Sequence, residues 1–104
     1  MTVSADISLD AIIAKLRALE PQMRGYGVTR LAVFGSRVRG DHRTDSDLDV
    51  FIEHDPSRPL GWDEMWNVMR LCEDATGLQP HVMTPTELTP RISERMADDV
   101  TEVF

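Results

Sequence analysis

The stretch that decides the fold is Gly35-Ser36-Arg37-Val38-Arg39-Gly40, followed after a short polar segment by Ser46-Asp47-Leu48-Asp49-Val50-Phe51-Ile52. It is preceded by Arg30-Leu31-Ala32-Val33-Phe34, which reads as a strand that stops at Gly35-Ser36. A glycine at the end of an apolar strand lets the backbone approach a ligand closely, and the turn after it can present N–H groups to phosphate oxygens. The Ser36 hydroxyl adds a donor that rotates to suit an oxygen. Val38-Arg39-Gly40 reads as a short helical turn. Leu48 to Ile52 is rich in strand formers, so Asp47 and Asp49 stand two apart at the head of a second strand with both side chains toward one face. Val50 and Ile52 take the opposite face from Phe51 and anchor the strand.

Two neighbouring carboxylates repel each other unless a cation sits between them. An oxygen donor pair with an incomplete shell suits Mg²⁺ or Mn²⁺, the remaining positions being filled by triphosphate oxygens. Asp47 and Asp49 are therefore the candidate metal ligands. An isolated Asp-x-Asp arises often by chance and Gly-Ser alone is a turn; it is their order along the chain that carries the chemistry. Arg37, Arg39, His42 and Arg43 form a basic cluster within an acidic sequence. Guanidinium forks pair with phosphate oxygens, so Arg37 and Arg39 are counted with Gly35, Ser36 and Ser46 as the nucleotide and phosphate group. At least one of the arginines at 37, 39 and 43 is expected to be surface charge only.

Outward from this centre the chain alternates helix and strand. Ser8 is a good N-cap, with Ile7 and Ile12 placed as a hydrophobic staple. One helix is expected from there through Met23, weakened by Pro21 and ended by Gly25 and Gly27. After the breaker Asp55-Pro56-Ser57-Arg58-Pro59-Leu60-Gly61, a helix carries Trp62, Met65, Trp66, Met69 and Cys72, a stripe expected to face the core. Pro80-His81-Val82-Met83 reads as a short edge strand. Thr84 and Glu87 have capping-box spacing, and Thr89-Pro90 opens a last helix whose stripe of Ile92, Met96, Val100 and Val103 is expected to pack on the sheet. The pattern is α/β (α+β), a small mixed sheet with helices packed against it, in one domain over 1–104.

The chain has 104 residues and a formal net charge of −7, which argues against direct nucleic-acid binding as its task. So short a chain buries a modest fraction of its surface, which excludes a large independent substrate domain. Cys72 is the sole cysteine, so no internal disulfide forms. No apolar run spans a bilayer, and the first six residues, Met1 to Asp6, lack a signal-peptide pattern, so a cytoplasmic location is expected.

The motif from Gly35-Ser36 to Asp47-Leu48-Asp49 resembles the signature of the polymerase β-like nucleotidyltransferase superfamily. The short length and the tail from Thr84-Pro85 to Phe104 resemble its minimal nucleotidyltransferase (MNT) branch, antitoxins that partner HEPN-domain ribonuclease toxins. The resemblance implies AMP transfer from ATP to a tyrosine of a cognate HEPN toxin, Mg²⁺-dependent, by in-line attack at the α-phosphorus, in a hetero-oligomer with the toxin. It maps the family's metal-binding aspartates onto Asp47 and Asp49, and its phosphate-contacting pair onto Gly35 and Ser36. The family's third carboxylate, on the next strand, falls at His81, so the catalytic set here is Asp47, Asp49 and His81. A neutral imidazole accepts a proton as well; the alternative is a catalytically weak antitoxin that works by binding alone.

Overall fold

The computed structural model describes residues 7–104, so the reading of the first six residues as carrying no signal peptide lies outside them. Ser8 caps helix α1 (Leu9–Arg17), its Oγ accepting from the Ala11 N–H at 3.1 Å. Ile12 and Leu16 bury themselves, and Ile7 packs against the same cluster. The single long helix expected through Met23 is two helices. Pro21 has no N–H to donate backwards, so the chain breaks at Ala18–Leu19 and restarts as α2 (Glu20–Gly25), with the proline in its first turn.

Strand β1 (Val28–Phe34) leads through the short helix α3 (Ser36–Arg39) and a loop into β2 (Leu48–His54), which lies antiparallel to β1. Helix α4 (Trp62–Thr76) then crosses over, so that β3 (Pro80–Met83) lies parallel to β2. A single turn of 3-10 helix (Pro85–Glu87) precedes α5 (Pro90–Asp99), and a two-residue strand β4 (Thr101–Glu102) pairs antiparallel with β1. The sheet order is β3-β2-β1-β4. The expected mixed sheet is present; β4 is additional, since two residues are too few to show a period.

The sheet divides the interior in two. Leu31, Val33, Leu48, Val50 and Ile52 point to one face, where Ile12, Leu16, Val68 and Cys72 of α1 and α4 cover them. Phe34, Phe51 and Met83 point to the other, where Ile92 and Met96 of α5 pack, as expected for the last helix. Val103 departs from that expectation. It follows β4, and it is buried in the core on the far face of the sheet from α5. The α4 stripe also needs correction: Trp62 is 93% and Trp66 61% exposed. The buried side of α4 is Val68, Cys72 and Thr76, and the tryptophans, one turn apart, lie away from it.

Candidate active site

The centre of the site is the contact between Gly35 and Asp49. Phe34 and Asp49 are paired across β1 and β2, so the residue after Phe34 meets the Asp49 side chain. Gly35 has φ +85°, and a Cβ built on it would stand 2.2 Å from Asp49 Oδ2. Backbone and carboxylate are thus as close as a glycine allows, and any other residue would be strained and displaced. Gly35 also starts α3: its carbonyl accepts from the N–H groups of Val38 and Arg39, both at 3.1 Å. Ser36 follows, half-buried, on the wall of a cleft of about 350 Å³.

His81 flanks Asp49 on the other side. It is the register partner of Asp49 across β2 and β3, and its Nδ1 lies 3.4 Å from Asp49 Oδ1. The cleft is lined by Gly35, Ser36, Arg39, Asp49, His81 and Asp99, with Phe34, Met83, Ile92 and Met96 supplying its apolar floor and roof. The Asp49 side chain is 28% exposed. Burial pushes its carboxyl above the ordinary range, His81 pulls it back, and the nearby Asp47 charge pushes it up further.

Asp47 precedes β2 by one residue and is exposed, outside the cleft lining. Its charge is nevertheless felt at Asp49, a conflict that a cation between the two would relieve. No group of three or more His, Cys, Asp or Glu among the described residues is gathered to hold a metal. One carboxylate in the cleft wall with a second, exposed, two residues before it fits a cation that takes most of its oxygen ligands from a substrate, as Mg²⁺ does with triphosphates.

The arginines separate by role. Arg37 is 3% exposed, and its guanidinium donates to the carbonyls of Thr44 and Ser46 at 3.0–3.1 Å and of Arg43 at 3.4 Å. It braces the loop that delivers Asp47, and it is absent from the cleft lining where the sequence reading placed it with the phosphate group. Ser46 works on the same loop: its Oγ accepts from the Arg43 N–H at 2.9 Å. Arg43 is exposed, as expected of a surface charge. Arg39 does face the cleft, held by Asp99 at 2.7 Å and Asp41 at 3.2 Å. Asp99, only 11% exposed at the end of α5, was missed because its contact with Arg39 depends on where α5 docks.

The nucleotidyltransferase domain family matches residues 9–101 of the chain. This chain belongs to that family. A solved minimal nucleotidyltransferase, so named provisionally, superposes on this nucleotidyltransferase with a TM-score of 0.75 at 26% identity, over 94% of this chain and 98% of that one. A Methanocaldococcus jannaschii protein, named provisionally as a protein adenylyltransferase, is 26% identical over 91 residues, 85% of this chain and 92% of its own length. At 10% identity, the structure of a tri-AMPylated Shewanella oneidensis HEPN toxin in complex with its MNT antitoxin shares the fold, with a TM-score of 0.64 over 91% of this chain and 71% of that one. The architecture is therefore that of the polymerase β-like nucleotidyltransferases. No helix among the described residues is long and apolar enough to cross a membrane.

Proposed function

We propose that this nucleotidyltransferase is an antitoxin of the MNT type that moves AMP from ATP to a tyrosine of a cognate HEPN toxin and silences it, in the cytoplasm and in complex with that toxin. The observation that carries the reading is the close Gly35–Asp49 approach, which puts the bare backbone of Gly35-Ser36 and a half-buried carboxylate on the wall of one cleft, with His81 against the carboxylate. The similarity to proteins named as adenylyltransferases supports the choice of AMP.

Asp47 and Asp49 would hold Mg²⁺ or Mn²⁺, which when bound withdraws charge from the triphosphate oxygens. Gly35 and Ser36 receive the phosphates, and Arg39 turns its guanidinium toward the departing pyrophosphate. The tyrosine oxygen bonds to the α-phosphorus as the bond to the bridging oxygen of pyrophosphate breaks. The hydroxyl proton passes to the His81 imidazole, the base in place of a third carboxylate. Arg37 and Ser46 hold the loop and not the nucleotide.

The test is incubation with α-labelled ATP, Mg²⁺ and the toxin. Label on toxin tyrosine is expected from the wild type, and none from Asp47→Ala/Asp49→Ala. A second reading, neutralisation by binding alone, is favoured by one observation, the imidazole at the third position. It predicts that the folded double variant still protects cells, and loss of protection would dismiss it.

A further inference from the structure

A second cleft, of about 500 Å³, lies between the start of α4 and the outer strand β3. Trp62, Met65, Met69 and Val82 line it, with Glu87 at its rim. His81 lines both this cleft and the first, so the two join at the candidate base. Across the sheet the order is Gly35 after β1, Asp49 on β2, His81 on β3, then the tryptophan cleft. In-line displacement puts the attacking oxygen opposite the leaving group. With the pyrophosphate on the Gly35–Ser36 side, the attacking hydroxyl arrives from the His81 side, which is where the second cleft begins.

We propose that this cleft seats the hydroxyl-bearing segment of the acceptor protein, one apolar side chain resting on Trp62, Met65 and Met69 while basic residues beside it face Glu87 and the acidic first turn of α4; the inference rests on the transfer reaction above. Two indoles exposed a turn apart contribute nothing to this chain's own core, and tryptophan is the residue type that most often dominates a protein interface. The charge has the same sense. Asp63 and Glu64 occupy the first turn of α4, Glu87 stands across the cleft, and the chain carries a net −7. An apolar floor with an acidic rim fits a basic, apolar peptide segment better than it fits a nucleotide, whose phosphates it would repel.

Trp62 and Trp66 are the protein's two tryptophans, so tryptophan emission reports on the exposed side of α4, with Trp62 in the cleft lining and Trp66 one turn beyond it. The probe is a synthetic tyrosine peptide with a neighbouring leucine and arginine flanks, compared with a glutamate-flanked twin. A blue shift is expected with the arginine peptide and not with its twin. It should persist in Asp49→Asn, which cannot transfer. Trp62→Ala/Trp66→Ala should raise the peptide KM at least about fivefold with kcat unchanged, and leave the KM for ATP unaltered. Transfer with an unchanged KM in that variant would overturn the proposal. So would an emission shift caused by ATP alone, which marks a nucleobase site, or by protein concentration alone, which marks a second copy. Absence of any shift with the arginine peptide at its solubility limit would overturn it too. A shift without transfer by any variant would sink the transferase reading and leave the peptide cleft standing.

Discussion

At the scale of single residues, Gly35 and Asp49 make opposite demands. Gly35→Ala adds a methyl 2.2 Å from an Asp49 carboxylate oxygen and forces a side chain into positive φ. Left-handed backbone alone costs roughly 1–2 kcal/mol outside glycine. We expect a measurable fall in melting temperature and loss of nucleotidyl transfer together. Asp49→Asn should separate the two. Burial raises the Asp49 carboxyl, so the folded state holds that proton more tightly than the unfolded chain does. Ionised Asp49 therefore opposes folding, by nothing below its ordinary value of 3.8 and by an amount that grows as pH rises through the shifted value. In chelator, Asp49→Asn should melt at or above the wild-type temperature at neutral pH, show no gain in strong acid, and transfer nothing. A large loss of stability would make Asp49 a structural residue.

At the scale of elements, the loop over 41–47 depends on Arg37. Arg37→Met keeps bulk and removes the donors that satisfy the carbonyls of Thr44 and Ser46. The acceptors are part-buried, so water can meet some of the loss, and urea unfolding should show a total cost of roughly 1–3 kcal/mol; activity should fall because Asp47 follows Ser46 directly. This role was not legible in the sequence. A charged residue after Gly-Ser looks like a phosphate ligand until the loop is seen to fold back over it. What could be read was whatever local chemistry enforces: the Ser8 and Thr89 caps and the halt of β1 at Gly35. His81 was legible only through the family resemblance, and its place beside Asp49 comes from the parallel register of β2 and β3. The face of α4 misled because tryptophan and methionine at helical spacing look the same whether they meet this chain's core or another chain's side chain. Only the position of Val68 and Cys72 against α1 and the sheet decides between them.

At the scale of the whole molecule, the last residues tie the two faces of the sheet together. Thr101 pairs with Val33 and Glu102 with Ala32. Phe104 accepts from the Leu31 N–H at 3.0 Å, and Arg17 reaches the Val103 carbonyl at 3.1 Å. Arg30 meets Glu53 at 2.9 Å and donates to the Glu102 carboxylate, and that hydrogen bond holds the Glu102 carboxyl below its usual range. A depressed carboxyl stabilises the fold above its ordinary value of 4.5 and loses that contribution as pH falls through the shifted one. Both partners are well exposed, so Glu102→Gln should cost only about 0.5 kcal/mol at neutral pH and nothing in strong acid, read from paired melts. Val103→Ala, by contrast, empties a buried site and should cost roughly 1–3 kcal/mol. The path of the chain there has a mechanical corollary. Asp99 grips Arg39 two residues before β4 is stitched to β1, so the roof of the cleft beside Asp49 is moored to the sheet's far edge. Traction on Phe104, from a fused tag or a bound neighbour, would slacken that mooring and widen the cleft at a distance from any reacting atom.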